Sequence, residues 1–249
     1  MQELDLVTIA LVFLGWMVGG FVSGVSGLGA MMLALPILSL KLSPSDAILT
    51  CCIVAFPCCI QLAWNYRHSV YWPDIKTLWM SCIPGCIAGT LVLKITPVAL
   101  LQLCISLLIG IFVVLQCFNE KAGVRLKDSP LALCLAGAAS GFTGSAVSIV
   151  GVPMGIFVLL TQWDKDRARG TMSMFFLVCT FITIVTQWFS DLYTLYLAKL
   201  SLIGTLGCLI GQECGYRIGK HMCQKTFVRF VLCFLSCAAL ILFFKSLKS

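Results

Sequence analysis

The sequence predicts an all-α integral membrane protein made of two inverted-topology repeats, each a broken helical hairpin plus three transmembrane helices. Three observations carry this prediction. Of the 249 residues 60% are apolar and 11% charged, and the mean hydropathy is +1.02, which leaves too little polar surface to cover a soluble core of this size. One glycine-rich pattern occurs twice, 117 positions apart, as GFVSGVSGLGAMMLALP from Gly20 to Pro36 and GAASGFTGSAVSIVGVP from Gly137 to Pro153. Finally, the lysines and arginines gather on one side of a membrane only if both copies are turning points.

The elements follow in chain order. The uncharged run Leu6 to Leu40 would be about 52 Å long as one helix, far more than the roughly 30 Å of a bilayer core. It is therefore read as two helical pieces joined near Gly24, Gly27 and Gly29, because glycine adopts the backbone angles a reversal needs. Its start, Met1-Gln2-Glu3-Leu4-Asp5, lacks the positive charge of a cleaved signal, so this segment is expected to remain in the mature protein. Ala47 to Tyr66, Thr77 to Leu93 and Ile95 to Asn119 are the three following crossings, which closes a first repeat at 1–118. Residues 119–130 form a polar cytoplasmic linker. The second repeat, 131–249, opens with another overlong run, Leu131 to Trp163, broken near Gly141 and Gly144, and continues through Gly170 to Ser190, Leu200 to Gln212 and Phe230 to Phe244.

The charges test this reading independently. With both hairpins in place, Arg67, Lys76, Lys121, Arg125, Lys127, Lys165, Arg167, Arg169, Arg217, Lys220, Lys225 and Arg229 share one side, and Lys41, Lys94, Lys199, Lys245 and Lys248 the other. Single crossings would instead divide them almost evenly. Since the richer side is cytoplasmic, both termini are expected on the non-cytoplasmic side of the plasma membrane. Parity then starts the second repeat on the opposite face from the first. Thr50/Thr171, Gly85/Gly207 and Gly89/Gly211 extend the duplication, and the GxxxG pairs GCIAG and GCLIG are expected to let helix backbones approach closely.

A broken helix at membrane depth lines protein or a cavity, and its N-terminus offers free amides and a partial positive charge. The return helices are expected to begin at Ser26-Gly27-Leu28 and Thr143-Gly144-Ser145, with Ser26 and Thr143 as N-caps. Candidate substrate-binding residues are thus Ser23, Gly24, Ser26, Gly27, Leu28 and Gly29 in the first copy, and Ser140, Gly141, Thr143, Gly144 and Ser145 in the second. Gln61, Trp64 and Gln187, late in the segment after each hairpin, are further pocket candidates, although Trp64 and Trp188 equally suit interfacial anchors. Two such breaks facing each other make a pocket for a small anion, as in inverted-repeat transporters. The plainer reading is that the glycines only allow close helix packing.

Other chemistry is sparse. The chain carries 15 cysteines, mostly within apolar runs, with no CxxC and no adjacent histidine, so neither a metal site nor a disulfide framework is expected. Glu213 and Arg217 read as an intrahelical pair, and Asp164 to Arg169 as a solvated cytoplasmic turn. No nucleophile, base and acid stand in a catalytic arrangement, so neither an enzyme nor a cofactor is expected. The partners expected are a small anionic substrate and membrane lipid, with no nucleic acid; self-association into a homo-oligomer stays open. An anion channel and a membrane thiol or redox protein are the competing classes.

The pattern GxxSGxxGxG followed by an apolar run to a proline, repeated after the midpoint, resembles the sulfite exporter TauE/SafE family. The resemblance rests on Gly24-Val25-Ser26-Gly27-Leu28-Gly29 to Pro36, Asp46-Ala47 with Thr50, and Gly141-Phe142-Thr143-Gly144 to Pro153 with Arg167-Ala168-Arg169-Gly170-Thr171. It departs where the family's glycine run is reduced to Gly29-Ala30-Met31 and Ser145-Ala146-Val147. It implies transport of sulfite, sulfonates or related organosulfur anions across the cytoplasmic membrane, most readily as export.

Overall fold

The computed structural model describes residues 5–26, 30–39, 41–97, 129–161 and 163–219, with scattered positions between 100 and 114. Within these lie eight α-helices and no strand: α1 (Leu6–Ser26), α2 (Ala30–Leu38), α3 (Pro44–Tyr66), α4 (Trp72–Ile95), α5 (Pro130–Val147), α6 (Gly151–Thr161), α7 (Lys165–Phe189) and α8 (Leu195–Gly219). Six of them, all but α2 and α6, are long and apolar enough to cross a membrane. Local sequence sets the starts. Ser43 caps α3 by accepting from the Asp46 amide at 3.1 Å, Ser129 caps α5 from Ala132 at 3.2 Å, and prolines 44 and 130 occupy the first turns.

Both long apolar stretches break as expected. The first arm α1, 21 residues, spans about 31 Å, whereas the return arm α2, nine residues, covers only about 13.5 Å. The hairpin nonetheless closes at its entry, where Lys41 Nζ meets Asp5 Oδ2 at 2.9 Å. In the second half α5 is followed by the eleven-residue α6. The predicted break position in the second half needs correction. The second piece starts at Ala30 in one half and at Gly151 in the other, while Thr143, Gly144 and Ser145 all remain helical within α5. Gly27, Leu28, Gly29, most of the linker, and the run Phe230 to Phe244 lie outside the described residues.

The two halves interlock reciprocally. α1 packs along α8, and α5 packs along α4. Small residues make this possible: a Cβ on Gly207 or Gly211 would collide with the Phe13 or Met17 carbonyl, and one on Gly85 or Gly89 with that of Ala138 or Phe142. Both GxxxG pairs are therefore packing devices. Contact registers also fix directions. α1 and α3 run parallel to α8 (Gly20 beside Cys208, Gly24 beside Gln212, Cys58 beside Gln212), α5 and α7 run parallel to α4 (Gly85 beside Ala138, Cys86 beside Cys179, Thr90 beside Thr186), and α3 opposes α7 (Cys52 on Gln187, Cys59 on Thr180). Each helix of the first half thus runs opposite to its counterpart in the second: α1 to α5, α3 to α7 and α4 to α8.

The segment Asp164 to Arg169 is not a solvated turn. Asp164 caps α7, and Arg167 turns inward, where its Nε donates to the Asp74 carboxylate at 3.0 Å and its guanidinium lies 4.2 Å from the centre of the Trp163 ring and 4.7 Å from that of Tyr71. Charge pairing and aromatic cover make this inward turn favourable. Glu213 and Arg217 form the expected i, i+4 pair at 2.7 Å.

Candidate functional site

Between the two breaks lies a cavity of about 60 Å³. The first turn of α2 contributes Ala30 and Met31, and the second break with the start of α6 contributes Ile149, Val150 and Gly151. α1 adds Trp16 and Ser23, α3 adds Cys58 and Cys59, and α8 adds Gln212. Both return arms therefore begin on one buried space. Their first amides have no intrahelical acceptor, and both helix N-termini carry partial positive charge. Among the described residues, no charged side chain lines the cavity.

Two lining residues carry unpartnered buried polar atoms. Trp16, fully buried, leaves its indole N–H unbonded. Gln212, also buried, donates its Nε2 to the Cys58 carbonyl at 3.1 Å and leaves Oε1 without a partner. Such groups cost roughly 1–3 kcal/mol each when left dry, which is the usual mark of a place that receives a ligand or water.

The second break is built by its own residues. Ser148 takes a left-handed conformation (φ 59°), its amide donating to Gly144 at 2.9 Å, and Ile149 donates back to Thr143 at 3.2 Å. The Thr143 hydroxyl is within reach of the Ile149 carbonyl at 2.9 Å and of Ala139 at 3.0 Å, so it pins the chain across the break. Ser148 Oγ lies 3.5 Å from Met31 Sδ and 3.6 Å from Cys52 Sγ, which ties one break to the other half.

The predicted site residues divide into three groups. Ser23 lines the cavity, and Thr143 and Gly144 shape its wall, Gly144 because a Cβ there would collide with Val150. Gly24 and Gly141 sit instead at helix interfaces, against the Gln212 and Cys82 carbonyls. Ser26 ends α1, and Ser140 is buried with an unpartnered hydroxyl. Ser145 and Gln187 belong to a buried network: Ser145 Oγ is 2.9 Å from Thr183, and Gln187 donates to the Ser145 carbonyl at 3.1 Å and accepts from Tyr193 at 2.6 Å. Burial holds the Tyr193 phenol above its ordinary range, so it acts there as a hydroxyl donor. Gln61 donates to Glu213 at 3.2 Å. Trp64 is 68% exposed and stacks under Arg67, with 4.1 Å from its ring centre to the guanidinium carbon; it points away from the cavity.

Trp16, Gln212 and Ser148 escaped the sequence reading. Trp16 stands in an unbroken apolar run, and Gln212 follows a glycine pair whose role is packing; only the fold carries them to the breaks.

A family model described as Sulfite exporter TauE/SafE matches residues 11–242. No curated protein and no solved structure matches the chain.

Proposed function

The chain belongs to the sulfite exporter TauE/SafE family, and from that premise we propose that it carries sulfite or a related organosulfur anion, bound between the two helix breaks and exported across the plasma membrane. The carrying observation is that the starts of both return arms meet on one buried cavity with the unpartnered groups of Trp16 and Gln212. Half-helix N-termini suit anionic groups in inverted-repeat transporters. The opposed directions of counterpart helices support such a repeat here, with each hairpin a re-entrant element.

The chemistry of the cavity narrows the ligand. Trp16 offers a donor and Gln212 Oε1 an acceptor. A monoanion that keeps one proton, such as hydrogen sulfite, satisfies both, whereas a fully ionised sulfonate satisfies only the donor. The cavity, about 60 Å³, exceeds the roughly 10–15 Å³ needed to hold one water, so it admits a small oxyanion. Among the described residues, no carboxylate lines the cavity to take up a proton or sodium ion. An inside-negative potential alone favours export of a monoanion by about 2.3 kcal/mol per 100 mV.

A thermal-shift titration of purified protein tests this reading. Hydrogen sulfite is expected to raise the melting temperature, since a ligand at a hundred times its Kd stabilises by about 2.7 kcal/mol. The rise should shrink as pH climbs through the second ionisation of sulfite. Equal stabilisation by sulfite and chloride would argue for a non-selective anion site.

A further inference from the structure

We propose that Cys82, Cys86 and Cys179 form a binding site for a soft d10 metal ion, Cu(I), between the halves of the protein. Their three sulfurs all lie within 4.8 Å of one another, all three residues are buried, and Cys86 Sγ stands 3.9 Å from Cys179 Sγ. A metal bonded to three sulfurs at about 2.3 Å in a plane requires S···S separations of about 4.0 Å, so the side chains need only small adjustments. Cys82 and Cys86 share a face of α4 one turn apart, and α7 supplies Cys179, 93 residues later; that separation is why spacing along the chain gave no sign of the site.

The donor set selects the metal. Three thiolates with no carboxylate or imidazole grouped with them among the described residues favour a soft ion. A structural zinc site closes with four N or S ligands, and a fourth is missing among the described residues. The Trp79 carbonyl oxygen lies 3.3 Å from Cys82 Sγ one turn back on the same helix, and Thr183 Oγ1, 3.6 Å from Cys86 Sγ, lies 2.9 Å from Ser145 Oγ and can hydrogen-bond a sulfur instead. Each thiol that becomes a ligand gives its proton to the buffer, and the positive ion offsets part of the resulting buried charge.

The duplicated fold supplies an internal control. Cys208 follows Gly207 as Cys86 follows Gly85, and Cys58 stands to Cys179 at the same offset as Thr50 to Thr171. Cys58 and Cys208 are likewise both buried. The counterpart of Cys82, however, is Gly204, whose missing side chain leaves room for the Trp16 indole. One side thus has three sulfurs and the other only two.

The full-length protein, with the exposed Cys214 replaced by serine, is titrated anaerobically with Cu(I) against a chromogenic chelator and examined by X-ray absorption. The parent is expected to retain a tightly held equivalent with three sulfur neighbours near 2.3 Å. C86S/C179S should bind one equivalent fewer, or bind it at least about 100-fold more weakly, a direct ligand counting for more than the 10–100-fold of an outer partner. C58S/C208S should match the parent. Undiminished binding in C86S/C179S, or loss in C58S/C208S alone, overturns the assignment. Should C86S/C179S fail to fold, the absorption spectrum of the parent decides: fewer than three sulfurs per copper, or no retained copper, overturns it as well.

Discussion

Gln212, a lining residue of the cavity, spends its amide nitrogen on the Cys58 carbonyl and leaves its oxygen without a partner. Gln212→Leu keeps the volume and removes the acceptor. Hydrogen sulfite binding, read by calorimetry, is expected to weaken about 5- to 150-fold, corresponding to 1–3 kcal/mol for an unpaired polar group, while binding of a fully ionised small sulfonate changes little. Equal losses for both ligands would show that the oxygen does not discriminate. Thr143→Val likewise keeps shape and deletes the hydroxyl held 2.9 Å from the Ile149 carbonyl. It should lower stability by about 1 kcal/mol and slow transport, measured by denaturant melts and flux on the same sample. Residue types in the sequence pointed to the two broken segments but not to each side chain's neighbour. Gln187 and Gln212 are both glutamines in apolar helices, yet one completes a buried network and the other faces the cavity, because α7 and α8 meet α3 from different sides.

At the scale of elements, the overlong apolar runs and their glycines revealed the hairpins, and the proposed turning points were close. In the second half the break falls later than Thr143 because the first glycines of the motif are engaged in helix packing: Gly141 lies against α4, as Gly20 and Gly24 of the first copy lie against α8. Helical geometry therefore persists to Ser26 and Val147, and in the second half the turn is made by left-handed Ser148, a residue type that carries no strong turn signal. Packing glycines and breaking glycines look alike in a sequence; only a partner helix separates them. Gly211→Val, which would drive a side chain into the Met17 carbonyl, should destabilise the protein by about 1–3 kcal/mol or more. Gly110→Ala, with no atom near the added carbon, should be neutral or stabilising by up to about 1 kcal/mol. Chemical melts of the pair measure the contrast.

The closure of the first hairpin carries a pH signature. The Lys41 ammonium bonded to Asp5 holds its carboxyl below the ordinary value of 3.8. The stabilisation is complete above that value and is lost as pH falls through the lower folded one. Asp5→Asn should therefore lower the melting temperature slightly at neutral pH, converge on the parent at the acid end, and so flatten the acid limb of the curve.

Across the whole molecule, each half needs the other to complete the cavity: α2 and α6 supply its two helix starts, and α1 of one half is clasped by α8 of the other. Composition and the overlong apolar runs made the all-helical membrane class legible in advance, whereas the reciprocal clasp depends on contacts distant in the chain, such as Gly85 with Ala138 and Gly20 with Cys208. A site shared between two such halves suits rocking of one against the other, which exposes the bound anion to one side at a time. The most direct measurement is counterflow in proteoliposomes, following labelled sulfite uptake with and without unlabelled sulfite trapped inside. A carrier with its site between the breaks is expected to show uptake accelerated by internal sulfite, and Gln212→Leu to lose that acceleration. Uptake indifferent to internal sulfite beyond its electrical effect, or acceleration undiminished in Gln212→Leu, would contradict it.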